Sequence, residues 1–560
     1  MEQRLDELQV LALDCQAGGA TPAHGDLLEI GWAVCAARGV VGSVHSCWII
    51  PRSDRPVPRA VRELTGWSEA VIASAVAEQE AWSTLCAKAL PLATPMPART
   101  VIHFARFELP FLHDLHERYG GSEAFPVDVI CLHAIATRLF PDLPRRNIRA
   151  LSGYLGHSAE LVRRSAGHVE ATAFIWSALL PELAQRGIHT WSELRAWLEQ
   201  PVKATRAPRR SFPFGRERRR SLPDAPGVYR FLRRNGDVLY VGKAASMRKR
   251  VASHFGAADR TGERALELLT QVHEVDCTET ANLLEAALLE CDEIKRLDPP
   301  YNVQLRAHDR SAWFASRDFA GAIASPDETH RVGPLPSQHA LAPLWALIAL
   351  ARGDDSLRLR AAALAVPAGY LPDEQLFLEG WRVFAAEYLG GPPTTPARRV
   401  SRASRALWVA RGRAEPEADP TAAELAPDAW DLQRVRRRLE RSLVQTGLLV
   451  RRARVLCLLA DATLAFRERD MPAARALVIV QGRIAERCGL SSVSALTDLP
   501  ARTLPALAQR QAAFDASAYD RLRVLATELR RVHQEDGEVA VRAGQHVLAG
   551  ERLTRVMSAI

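Results

Sequence analysis

The chain has 560 residues, 48% apolar and 25% charged, proportions of an ordinary folded protein that exclude wholesale disorder. At about 100–200 residues per domain, that length predicts three or four domains, and a formal charge of +8 favours a polyanionic partner. The longest uncharged apolar run, Leu341 to Ala351, contains a proline and is far too short to span a membrane; with no secretory layout at MEQRLDELQV, a cytoplasmic protein is expected.

Residues 1–195 alternate β-like runs (VLALDC, LLEIGWAVC, SCWII, RTVIHF) with helical segments, an α/β pattern. Residues 196–221 read as a flexible linker, with eight basic residues and one acidic between Pro201 and Arg220. Arg209, Arg210, Arg218, Arg219 and Arg220 in it are candidates for phosphate contacts. A compact segment over 222–310 follows: strand, turn at Asn235-Gly236, strand, helix, then a long helix. Residues 311–560 read as mostly helical. The basic helix that begins after Trp430 is expected to lead into two β-like runs, RARVLCLLADATLAF and ARALVIVQG, and a last helix is expected to end in a short tail. The nine cysteines show no C-x-x-C pair, so neither a zinc knuckle nor a disulfide framework is indicated. Only five residues are lysine against 68 arginines, which singles out each retained lysine, Lys243 among them.

The 222–310 segment carries the chemistry. Tyr229 and Tyr240 sit on its two strands, Gly242 and Lys243 end the second, and the next helix bears Arg248, Lys249, Arg250 and His254. Arg250 and His254 are four residues apart and share a helix face. Glu290 lies in the run LLEAALLECDEIKRL, ahead of PPYN ending at Asn302. A tyrosine or histidine can shuttle protons, an arginine can clamp a phosphate, and a carboxylate can hold a divalent cation, the parts needed to cut a phosphodiester.

The set PGVY, LYVGKA, the helix carrying Arg250, Glu290 and IKRLDPPYNVQLR resembles the GIY-YIG nucleases, most closely those of the excision-repair nuclease UvrC and its shorter homologue Cho. The resemblance implies that one of Tyr229 and Tyr240 is the general base toward water, assisted by Lys243. It implies that Gly242 admits a close backbone approach, that Arg250 stabilises charge on the phosphate, and that Asn302 buttresses the site. Glu290 would be the single protein ligand of a catalytic Mg²⁺ or Mn²⁺. His254 takes a position that is tyrosine or histidine in the family. Arg248 and Lys249 are further candidates for binding DNA.

Residues 8–180 resemble the DEDD-type 3′–5′ exonuclease fold of the proofreading epsilon subunit of DNA polymerase III, through VLALDCQ, LLEIGWAV, LTGW, IHFARFELPFL and HVEATA. That family needs four carboxylates for two metal ions, plus a histidine base. Here the first motif reads Asp14-Cys15-Gln16, the second aspartate is Glu108, and the last motif runs from Arg163 to His168. Two carboxylates cannot neutralise a two-metal cluster as four do, so an inactive exonuclease fold is expected.

The fold expected is therefore multidomain α/β and α+β: an RNase H-like exonuclease fold, a small GIY-YIG α/β domain, and a mainly helical C-terminal region with a few strands. The function expected is structure- or damage-directed DNA endonuclease, with the 3′-side incision of nucleotide excision repair as its specific form and UvrA/UvrB-type damage-recognition proteins as partners. The rival readings are a 3′–5′ proofreading-type exonuclease and a non-catalytic DNA-binding repair scaffold.

Overall fold

A computed structural model describes residues 2–52, 55–89, 97–158, 164–201, 211–256, 262–306, 312–390, 395–411, 430–469 and 471–557. The chain divides into two compact units, one of residues 1–279 with 299–302, the other of residues 280–298 with 303–560. The mixed α/β multidomain architecture expected from the sequence is the one observed. Among the described residues, no helix is long and apolar enough to cross a membrane.

The first unit begins with a five-stranded sheet in the order β3-β2-β1-β4-β5, built from β1 (Val10–Ala17), β2 (Leu27–Ala36), β3 (Gly39–Trp48), β4 (Ala98–Ile102) and β5 (Val127–Cys131). β1 runs antiparallel to β2 and parallel to β4. β1 and β2 are buried along almost their whole length, which is why they read as continuous apolar runs rather than alternating ones. The long helix Ser165–Gln185 packs on β1, β2 and β3. It comes so close at Gly31 that a Cβ there would lie 2.9 Å from Cβ of Ser165, so any larger residue would push the helix off the strand.

A second, three-stranded sheet in the same unit has the order β7-β6-β8: β6 (Gly227–Leu232), β7 (Val238–Ala244) and β8 (Glu274–Glu279), all antiparallel. The Asn235-Gly236 hairpin stands where the sequence placed it, closed by Arg233 N–H donating to the Asp237 carbonyl at 2.9 Å. The end of the basic linker is part of this fold. Residues Arg216–Arg220 form a short helix, Phe214 is buried, and its ring and that of Phe212 lie 6.3 and 5.2 Å from that of Phe255. Helix Ile148–Leu155 of the first sheet's domain packs on helix Glu263–Gln271 of the second, where Asn147 Nδ2 donates to Glu267 Oε2 at 2.7 Å and Arg145 pairs with Glu263.

The second unit joins two cores. One is helical and includes the small sheet β10-β9-β11, made of β9 (Trp313–Ser316), β10 (Ala322–Ile323) and β11 (His330–Leu335). The other surrounds an antiparallel sheet in the order β14-β13-β12-β15-β16: β12 (Thr463–Arg467), β13 (Ala474–Val480), β14 (Arg483–Leu490), β15 (Glu538–Ala543) and β16 (His546–Leu548). Helix Leu432–Leu459 serves both, with Val435, Leu439 and Leu443 in the first core and Leu456, Cys457 and Leu459 in the second. RARVLCLL, expected as strand, is the last part of that helix, and the strand starts only at Thr463. Val455, Leu456, Cys457 and Leu459 are buried in succession there, so their run carries no helical alternation to read. The expected tail is instead β15, β16 and helix Gly550–Met557.

Helix Leu283–Leu297 also belongs to this second unit, sinking Leu284 and Leu288 into its sheet core and lying along helix Ala516–Gln534. Lys295 Nζ meets Asp520 Oδ2 at 2.7 Å, with side chains 8% and 1% exposed, and Arg523 stands 3.6 Å from the other oxygen. Breaking such a buried pair from one side leaves a charge half compensated. Lys295→Met is expected to cost about 3 kcal/mol of unfolding free energy, read from denaturant titration, and an unchanged midpoint would contradict this.

Candidate active site

Two groups of polar residues stand out in the first unit, one over each sheet. In the three-stranded sheet, Tyr229 on β6 faces Gly242 on β7 across the antiparallel ladder. Tyr229 is completely buried, and its ring lies over the glycine: a Cβ at Gly242 would sit 2.5 Å from Oη of Tyr229 and 2.8 Å from Cε1 of Tyr240. The absence of a side chain at residue 242 thus makes room for both tyrosines, whose ring centroids are 6.1 Å apart.

Oη of Tyr229 is 2.8 Å from Nε2 of His254 on helix Met247–Gly256. Rings of Phe231 and Tyr240 meet the same imidazole edge-on at 5.4 and 5.9 Å. Burial, then the neighbouring Arg250, holds the His254 pKa down at about 4. The ring is therefore neutral at pH 7 and offers one donor and one acceptor nitrogen.

Asn302 fixes the strand from below. Its Nδ2 donates to the Val241 carbonyl and its Oδ1 accepts from the Val241 N–H, both at 2.9 Å. Tyr301 beside it accepts from Gln271 Nε2 at 2.6 Å and donates to Glu267 at 2.7 Å, anchoring the Pro-Pro-Tyr-Asn turn. Lys243 is half-buried at the end of β7, and Arg250 is exposed one helical turn before His254. The structure thus brings Tyr229, Tyr240, Gly242, Lys243, Arg250, His254 and Asn302 onto one small domain. Glu290 is half-buried on helix Leu283–Leu297, in the second unit.

The basic candidates divide. Arg218 donates to the His273 carbonyl at 2.9 Å and lies over Phe214, Arg219 lies over Phe255, and Arg248 pairs with Asp224. These three also hold the domain together. Lys249 and Arg220 are exposed, while Arg209 and Arg210 lie outside the described residues.

In the five-stranded sheet, Asp14 and Gln16 project from one face of β1, two residues apart. Asp14 Oδ1 is 3.0 Å from Nδ1 of His168. Glu108, on the helix Ala105–Tyr119 that follows β4, accepts the Cys15 N–H at 3.0 Å. Burial, then the Asp14 charge, drives the Glu108 carboxyl well up from its ordinary range. Arg163 lies outside the described residues. Sequence reasoning missed Glu29, which sits opposite Gln16 on β2 and is fully buried. It is matched by Arg164, with Nη2 at 2.6 Å, and by the Ser165 N–H at 3.0 Å. A charged residue inside the apolar run LLEIGWAVC was the one available signal. Among the described residues, no group of three or more His, Cys, Asp or Glu is arranged to hold a metal ion.

Comparison with known proteins finds relatives of the smaller domain. Residues 225–303 form a UvrC-like GIY-YIG domain. A Mycobacterium tuberculosis protein named as a bifunctional exonuclease/endonuclease is 29% identical over 366 residues, 63% of this chain and 54% of its own. The UvrABC system protein C of Alkalilimnicola ehrlichii is 42% identical over 131 residues, 22% of this chain and 21% of that protein. The chain thus spans about half of the first relative and a fifth of the second. Among solved structures, the GIY-YIG N-terminal endonuclease domain of Thermotoga maritima UvrC bound to magnesium is 31% identical, covering 16% of this chain and 94% of that one, with a TM-score of 0.15.

The His254 environment is directly measurable. Between the ordinary pKa near 6.5 and about 4, the unfolded chain binds a proton that the folded ring refuses, so this residue subtracts stability as the pH falls through that window. An NMR titration of the imidazole is expected to give a midpoint near 4. Arg250→Ala should raise it only in part, because burial is the larger cause; a midpoint at the ordinary value in the native protein would refute the assignment.

Proposed function

We propose that the protein is a DNA nuclease whose GIY-YIG domain cuts a phosphodiester internally. The observation that carries the reading is the contact of Tyr229 Oη with a neutral His254 at 2.8 Å, inside a UvrC-like domain. In this scheme His254 Nε2 accepts the Tyr229 hydroxyl in a hydrogen bond and orients the phenol, one of Tyr229 and Tyr240 is the general base toward the attacking water, and that proton ends on the departing 3′-oxygen. Tyr240 and Lys243 orient that water and Arg250 receives the phosphate, where a planar guanidinium can bond two oxygens at once. Gly242 and Asn302 are positioning residues: one admits the tyrosines, the other holds the strand that carries them.

Glu290 is the residue assigned to a divalent cation, Mg²⁺ or Mn²⁺. A single carboxylate is a hard oxygen donor and suits a cation that keeps most of its water. When bound, the cation supplies charge stabilisation at the scissile phosphate. Hydrolysis in this way leaves a 5′-phosphate and a 3′-hydroxyl. The specific reading is incision on the 3′ side of a lesion in nucleotide excision repair, on substrates delivered by UvrA/UvrB-type proteins in the cytoplasm. Residues 196–221 and 434–454, with Arg248 and Lys249, add sequence-independent phosphate contacts that weaken as salt rises.

The domain division goes with this reading: 1–195 exonuclease-like, 196–221 a basic linker, 222–310 the nuclease, 311–560 a C-terminal region. The exonuclease-like domain is read as inactive. Asp14 is already paired with His168, Glu29 with Arg164, and Glu108 is driven toward its neutral form, so the residues there do not fit a pair of divalent cations. The domain is kept for binding DNA or protein.

The test is a denaturing gel on a 5′-labelled duplex with one bulky adduct and Mg²⁺. A discrete nick 3′ to the adduct is expected, lowered about 1,000-fold or more by Glu290→Gln or Arg250→Ala without loss of the folded circular-dichroism spectrum. Undiminished cutting by both variants would defeat the assignment. On a labelled single strand, no stepwise shortening from the 3′ end is expected from Glu290→Gln; a ladder that disappears on Asp14→Ala would move the chemistry to the first sheet.

A further inference from the structure

The two sheets of the first unit meet where helix Ile148–Leu155 packs on helix Glu263–Gln271, and polar contacts run from that seam to the nuclease strand. Gln271 is at the centre and is fully buried. Its Oε1 accepts from Arg233 Nε at 3.2 Å, and its Nε2 donates to Tyr301 Oη at 2.6 Å. Arg233 is held from the other domain, its Nη1 donating to the His157 carbonyl at 3.1 Å. Tyr301 Oη donates to Glu267 Oε1, and Oε2 of that carboxylate accepts from Asn147 Nδ2, both at 2.7 Å. Asn147 Oδ1 caps its own helix, accepting from the Ala150 N–H at 2.9 Å.

Gly153 shows how closely the seam is fitted. It lies inside helix Ile148–Leu155, where alanine would be the better helix former, yet a Cβ there would sit 1.9 Å from Gln271 Oε1. The helix gives up stability to leave room for the glutamine. From Tyr301 the path enters the site directly. The Tyr301 N–H donates to the Leu239 carbonyl at 3.1 Å, and the next residue, Asn302, clamps Val241. Residues 301 and 302 therefore lie along the outer edge of β7, on which Tyr240 and Gly242 flank Val241. Burial, then the Glu267 charge, pushes the Tyr301 pKa up, so its phenol stays protonated and keeps donating. Apolar packing alone would let the two helices slide. Amides engaged at both ends do not, because any shift breaks contacts on both sides of each.

We propose that Gln271 and Asn147 are positioning residues for the nuclease reaction: the domain of the five-stranded sheet is a template that fixes the Tyr301-Asn302 turn, and through it the strand bearing Tyr240 and Gly242. The inference rests on the nuclease reading above and gives the domain without chemistry a task in that reaction. Both residues act through Tyr301.

Three variants of the full chain test this. Asn147→Asp keeps the helix cap, since Asp caps as well as Asn, and sets a carboxylate against Glu267 at an exposed position. Adding Glu267→Gln reverses the polarity of the contact and restores it, the new amide donating to the new carboxylate while still accepting from Tyr301. Gly153→Ala, which helix propensity favours, displaces Gln271 directly. On the adduct-bearing duplex with Mg²⁺, both single variants are expected to lower kcat about tenfold with KM within about twofold of the parent, and the double variant to recover to within about twofold. The His254 midpoint, read by NMR without any cutting, should rise from about 4 by roughly half a unit or more in the single variants and return in the double one. A seam that served stability alone would lower the melting temperature and leave both readouts at their parent values. Single variants that cut like the parent, or a double variant no better than Asn147→Asp, would overturn the proposal. If the parent cuts no DNA, the nuclease reading fails by itself and the His254 midpoint decides: a rise that the double variant reverses supports positioning, and an unmoved midpoint refutes it.

Discussion

Asn302 takes the Val241 N–H on Oδ1 and gives an N–H to the Val241 carbonyl, both at 2.9 Å, so one side chain replaces a missing neighbour strand. Val241 stands between Tyr240 and Gly242, so this two-point clamp sets where the edge strand of the sheet lies. The position of that strand in turn decides whether Gly242 slides under the ring of Tyr229, and so whether Tyr229 reaches His254. Each such hydrogen bond contributes about 1 kcal/mol net, but its loss would strand two buried backbone groups at a cost of the same order or more. A modest energy therefore governs a chain of contacts whose tolerances are tenths of an ångström.

The two polar clusters of the first unit handle buried charge in opposite ways. Over the five-stranded sheet the acids are held one by one: Asp14 Oδ1 by a histidine while its buried Oδ2 has no partner among the described residues, Glu29 by an arginine and a backbone N–H, Glu108 by the Cys15 N–H. Over the three-stranded sheet the buried groups are neutral phenols and a neutral imidazole, while the arginine and lysine stay at or near the surface. That arrangement leaves positive charge facing outward, toward whatever polyanion approaches.

Much of this was legible in the residues. The strands of the first sheet and the hairpin at Asn235-Gly236 follow from short-range pattern, while the grouping of Tyr229, Tyr240, Gly242, Lys243, Arg250, His254 and Asn302 came from the resemblance to the GIY-YIG nucleases. What the pattern could not carry was long-range. Glu29 reads as one charge in an apolar run until β2 is laid beside β1 and Arg164 arrives from more than a hundred residues away. Helix Leu283–Leu297 reads as part of the nuclease segment, yet its leucines pack with residues beyond 450, which only tertiary contact reveals. Near the end of the basic linker, Phe214 has a hydrophobic home that no local pattern announces. The C-terminal half was hardest: at the end of helix Leu432–Leu459 the buried residues Val455, Leu456, Cys457 and Leu459 crowd together and hide the periodicity by which helices are recognised.

Helix Leu432–Leu459 has one further implication. Its N-terminal half is a wall of one core and its C-terminal half a wall of the other, with no break between. Neither core can open without releasing residues that the other needs, so the two melt together as one cooperative body. For inheritance this means that recombination within the codons for these 28 residues would ruin both halves at once. Over evolutionary time the two cores of the second unit cannot be traded one without the other.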